Sequence, residues 1–221
     1  MSMFRMGYDA ALQGKKLEDC PIPTSDSADR MEWMGGYHMF FNYDKMSTKA
    51  QQGGFTWSKY QIEANKTCVP KYFNYNYLCL GFVSKVGQLL NANNIKDKKE
   101  KLGDCFWYCS QILLLSNTCF GVFVQQTLSD IEFRLPTPCQ VFIGTVCYHC
   151  VELVCVVKKI DRKNGSHRTY IPKEEFTEFS DLLPNIIQKA VYYTFHDQPK
   201  IELVEIAEMN LEKLKRIKTE H

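Results

Sequence analysis

From Phe55 onward, apolar residues recur at helical spacing, and the breaks between periodic stretches are polar. Ser58 to Thr67 reads as a first helix, closed near Pro70. Asn76 to Asn91 reads as a second, with Leu78, Phe82, Val86 and Leu89 on one stripe. NANNIKDKKE is expected to be a polar turn. Lys99 to Leu115 forms a third helix, with Leu102, Phe106, Cys109 and Leu113 facing one way. Pro136 and Pro138 open a long apolar helix that runs to about Ile160, and RKNGSH is expected to be a loop. Residues 173–196 read as helical with an interruption near Pro184. Pro199 precedes a last amphipathic helix, Ile201 to Ile217. Strand signals are confined to Thr169–Ile171 and Ile131–Leu135. The expected class is all-α: a helical bundle over 55–221, preceded by a compact unit at 1–42 and a polar linker at 43–54 that ends in Gly53-Gly54.

Composition changes this picture little. The chain has 221 residues, of which 45% are hydrophobic and 24% charged, as in ordinary globular domains. A formal net charge of +2 gives no overall pull toward nucleic acid or a membrane surface. The start, MSMFRMGYDAALQG, lacks a basic stretch followed by an apolar run, so no secretory signal is expected. The ten cysteines are then expected to be reduced thiols of a cytoplasmic protein, with Cys105, Cys109, Cys147 and Cys155 as small core hydrophobes. Pro138 to Val157 is apolar, but Gln140, His149 and Glu152 fall within it. Charge near the centre of a span is costly, so a bundle helix and no membrane partner are expected. The C-x-x-C spacing of Cys147 and Cys150 has no second pair to complete a zinc site and reads as structural.

Four fragments carry chemistry: Tyr60-Gln61, LGFVSKVGQLL (Leu80–Leu90), KLGDCFWY (Lys101–Tyr108) and AEMNLEKLKR (Ala207–Arg216). In this order they resemble the MazG-like nucleoside triphosphate pyrophosphohydrolases, whose pattern is a YQ helix, LGL-x-x-E-x-G-E, E-L-G-D-x-x-W-Y and a late N-x-x-K-L helix. The resemblance covers 57–116 and 200–217, with inserted helices at about 117–199 between them. It implies a helical bundle assembled as a dimer or tetramer. It also implies facing carboxylate pairs that hold magnesium, which takes hard oxygen ligands and polarises the substrate phosphates.

Here those carboxylate positions fall on Lys85, Gln88, Lys101 and Asp104. Two lysines and one aspartate give a net of +1 where four carboxylates would give −4. Such a site repels a dication, so no metal ligand set and no cofactor are expected. Glu100 lies about 100° around the helix from Lys101 and reads as a poor substitute. Two readings of Lys85 and Lys101 stand side by side. Either they are solvated helix lysines, or their ammonium groups hold nucleotide phosphate directly as point charges. The phosphate-binding candidates are Lys85, Gln88, Lys101, Asp104, Trp107, Asn210 and Lys213, the last two implied by the resemblance. Trp107 also reads as a core or interface aromatic. If the chain is active, it is a magnesium-dependent pyrophosphohydrolase with relocated ligands at Glu63, Glu100 and Asp104, and Asp104 is its catalytic residue.

In the first unit, Gly7, Tyr8, Ala10, Gly14, Cys20, Pro21, Trp33, Gly36 and Tyr37 form a skeleton similar to that of the ribosome modulation factor family. The similarity implies a helix–loop–helix whose mini-core is Tyr8, Trp33 and Tyr37, with a ribosomal partner. Four basic residues (Arg5, Lys15, Lys16, Arg30) face six acidic ones (Asp9, Glu18, Asp19, Asp26, Asp29, Glu32), a net of −2. Affinity for RNA rests largely on phosphate neutralisation. Docking to a protein through residues 1–42 is therefore as well founded as docking to a ribosome. Both resemblances imply a bacterial or phage cytoplasmic protein.

Overall fold

The computed structural model describes residues 6–7, 10, 13, 15–23, 30, 33–34, 55–69, 72–116, 118–128, 139–164, 173–195 and 202–219. Among them are seven α-helices and no strand, as an all-α class requires. They are α1 (Trp57–Asn65), α2 (Tyr75–Leu90), α3 (Ile95–Leu115), α4 (Phe120–Leu128), α5 (Cys139–Asn164), α6 (Lys173–Phe195) and α7 (Leu203–Thr219). The linker at 43–54 and both segments with strand signals lie outside the described residues.

The first three helices start where a side chain accepts from a backbone N–H left unpaired at the helix end. Thr56 Oγ1 accepts from Lys59 N at 3.1 Å, Asn74 Oδ1 from Tyr77 N at 2.9 Å and Asn94 Oδ1 from Asp97 N at 2.9 Å. The third cap corrects an expectation. NANNIKDKKE is a turn only as far as Asn94, and IKDKKE forms the first turns of α3. Lysine and glutamate are good helix formers, and Asp97 in the first turn favours the helix dipole. A second correction concerns α6, which runs unbroken through Pro184. Proline cannot donate to the preceding turn. Beside it, Asn185 Nδ2 donates to the Asp181 carbonyl at 2.6 Å. A third concerns RKNGSH: Arg162 to Asn164 still belong to α5.

The helices α2 and α3 form a tight hairpin, and α5 and α6 pack against each other as a second pair. The closing helix α7 lies on α3 and α1. The core is continuous across these elements. It includes Leu78, Phe82, Val86 and Leu89 of α2, Leu102, Phe106 and Cys109 of α3, and Leu183, Ile187 and Val191 of α6. Each such side chain, fully buried, contributes about 1.5–3 kcal/mol. Among the cysteines, Cys105 and Cys109 are buried as expected, but Cys147 and Cys155 are exposed, because they fall on the outward face of α5. No helix among the described residues is long and apolar enough to cross a membrane.

Near the N-terminus, Ala10, Ile22 and Trp33 form a second small apolar cluster, with Met6, Cys20 and Met34 against it. Arg30 Nη1 donates to the Ile22 carbonyl at 2.7 Å, tying the two sides of this unit together. Trp33 takes the core place expected of it, whereas Tyr8 and Tyr37 lie outside the described residues.

Candidate functional site

Two polar residues of α1 set the frame. Gln61 is fully buried and fixes the turn between α3 and α4. Its Nε2 donates to the Ser110 carbonyl at 2.8 Å and the Thr118 carbonyl at 3.2 Å, and its Oε1 accepts from Phe120 N at 2.7 Å. Tyr60, also fully buried, donates from its hydroxyl to Asn210 Oδ1 at 2.8 Å. Burial, and then the Asp104 carboxylate, push the Tyr60 hydroxyl well above its ordinary pKa, so it remains a donor. This bond fixes α7 against α1. Gly103 permits the close approach of α7 to α3, since a Cβ there would stand 2.9 Å from Asn210 Cβ.

Asp104 sits at the meeting point of α2, α3 and α7 and is only 8% exposed. Lys213 Nζ donates to its Oδ1 at 2.8 Å, and Lys85 Nζ lies 3.3 Å from its Oδ2. Asn210 Nδ2 reaches Oδ1 at 3.4 Å. Lys213 also donates to Glu100 Oε1 at 2.9 Å, and the same oxygen accepts from Lys101 at 3.4 Å. Lys85 further donates to Gln88 Oε1 at 3.3 Å. At the edge, Lys99 bridges α3 to Glu205 of α7 at 3.0 Å.

Electrostatics follow from this arrangement. Hydrogen bonding to Lys213 is the main reason that the Glu100 carboxyl lies below its ordinary 4.5. Burial opposes the charge on Lys213, but hydrogen bonds to Asp104 and Glu100 outweigh it and hold the lysine above its ordinary 10.5. The ammonium groups of Lys85, Lys101 and Lys213 meet the carboxylates of Glu100 and Asp104, which leaves one positive charge in excess.

Of the residues expected at the site, Lys85, Gln88, Asp104, Asn210 and Lys213 are brought together, and Lys101 joins through Glu100. Trp107 is turned elsewhere, with its indole N–H donating to the Ala64 carbonyl at 3.2 Å and to Thr67 Oγ1 at 3.0 Å. Glu100 also belongs to the cluster, through Lys213 and Lys101. Its offset from Lys101 is real, but it stands four residues before Asp104, and that spacing puts both carboxylates on one face. Glu63, of the relocated set, pairs with Lys66 at 2.7 Å. Among the described residues no three His, Cys, Asp or Glu side chains are grouped to hold a metal ion.

No family model matches the chain, and no curated protein and no solved structure compared with it gives a match.

Proposed function

We propose that this protein binds a phosphorylated nucleotide without hydrolysing it, on a bundle that resembles the MazG-like pyrophosphohydrolases. One observation carries the reading: the ammonium groups of Lys85 and Lys213 lie on opposite oxygens of the buried Asp104, where the family's pattern calls for a divalent cation held by carboxylates. A lysine ammonium is a compact charge with several donors, suited to a phosphate oxygen. The excess positive charge favours an anion and disfavours magnesium. Without the metal there is neither a Lewis acid nor an activated hydroxide, so sequestering or sensing fits better than turnover.

Titration calorimetry with a panel of nucleotides in EDTA tests this. Binding of at least one nucleotide is the expected outcome; no binding to any refutes the proposal. Magnesium-dependent pyrophosphate release that disappears in Asp104→Ala would instead establish the divergent hydrolase. The resemblance also implies a dimer or tetramer. The outward face of α5, where Tyr148 is 60% and Val151 62% exposed, is a surface that such an assembly would cover. Sedimentation equilibrium giving a monomer mass would count against that assembly.

A further inference from the structure

An aromatic platform stands at the N-terminal end of α2, about two turns along the helix from Lys85. Tyr72 and Tyr77 stack with ring centroids 4.7 Å apart and planes 20° from parallel. They are 39% and 40% exposed, and Val69 (49%) and Leu80 (55%) lie beside them in the chain and on the helix. Scattered exposed apolar residues need no explanation, but a stacked pair flanked by two more is a surface that something flat and apolar would cover. Tyr77 leads back toward the cluster through Tyr108. Their rings are 6.4 Å apart. The Tyr108 ring lies over the bare Cα of Gly81, in space that a Cβ would fill. Tyr77, Gly81, Lys85 and Gln88 share one side of α2, and Tyr77 stands about 12 Å along the axis from Lys85.

We infer that the Tyr72–Tyr77 platform is the base subsite of the nucleotide whose phosphates meet Lys85 and Lys213. This rests on the phosphate reading of the ammonium cluster and names its ligand class more narrowly. The ligand is a nucleoside di- or triphosphate, whose phosphate chain runs from a base on the platform toward Lys85 over that separation. Stacking on tyrosine tolerates any base, since every base presents a π face, and the larger purines cover more of the platform.

The test compares three probes by calorimetry in EDTA: inorganic tripolyphosphate, ATP and CTP, each against the wild type, Tyr77→Ala and Tyr72→Ala. Both tyrosines are substantially exposed, and unchanged tripolyphosphate affinity shows that the variants remain folded around the cluster. The wild type should bind ATP about five- to 150-fold more tightly than tripolyphosphate, as expected for stacking of one base. CTP should fall between, and each alanine variant should lose most of the ATP advantage. If tripolyphosphate binds but ATP gains nothing over it, or if the variants keep the wild-type ratio, the base subsite is wrong while the phosphate site stands. If neither tripolyphosphate nor any nucleotide binds, the phosphate reading fails and the base subsite falls with it.

Discussion

Replacing Asp104 by asparagine should move stability and anion affinity in opposite directions. Asp104 is 8% exposed and holds Lys213 at 2.8 Å and Lys85 at 3.3 Å. Breaking a fully buried ion pair costs about 3–5 kcal/mol, and an exposed one about 0.2–1 kcal/mol. The Lys213 and Lys85 side chains are 33% and 27% exposed, so solvent screens part of the loss. About 2 kcal/mol is expected, which for a chain of this length lowers Tm by about 4–8 °C. The same change raises the excess charge of the cluster from one to two. One further charge a few ångströms from a phosphate in a wet site is worth about 1 kcal/mol, so affinity for tripolyphosphate should rise about fivefold. Thermal unfolding followed by circular dichroism gives the first quantity, and calorimetry in EDTA gives the second. A loss of stability with unchanged or weaker anion binding would mean that the lysines serve only to neutralise Asp104, and the reasoning would fail.

The pH dependence of stability follows from the same network. Glu100 lies below its ordinary 4.5, so its contribution is complete above that value and is lost as pH falls through the depressed folded pKa. Lys213 lies above its ordinary 10.5, so its contribution is complete below that value and is lost as pH rises through the raised folded pKa. Tm should therefore be level between these limits as far as this pair is concerned, and Glu100→Gln should make the acid limb shallower; superimposable acid limbs would contradict the pairing. Gln61→Ala should cost about 3 kcal/mol, because it leaves the Ser110 and Thr118 carbonyls and the Phe120 N–H without their partner. A change in urea-unfolding free energy below about 1 kcal/mol would show that water or a shifted loop replaces those bonds.

The helices were legible because their signals are local. The stripes Leu78–Phe82–Val86–Leu89 and Leu102–Phe106–Cys109–Leu113 are the buried faces of α2 and α3. The errors arose where one local signal was set against another. Polar text at IKDKKE read as a turn although Asn94 caps a helix there, and Pro184 read as a break although α6 runs through it. For the site, it was the resemblance that put forward Lys85, Gln88, Asn210 and Lys213, each pair three residues apart on one helix. What spacing could not supply was the crossing of helices. The meeting of Lys213 with Glu100 and Asp104, 113 and 109 residues away, depends on the contact between Gly103 and Asn210 and on the Tyr60 bond to α7. Trp107 illustrates the same limit, because nothing in its own helix says that its indole N–H is taken up by the end of α1.

The most direct test of an ammonium site in place of a metal site is a crystal structure of the protein soaked with a nucleoside triphosphate and magnesium. The account predicts phosphate oxygens within hydrogen-bond distance of Lys85 Nζ and Lys213 Nζ, with no metal ion on Asp104. A magnesium ion held by Glu100 and Asp104, with the lysines displaced, would contradict it.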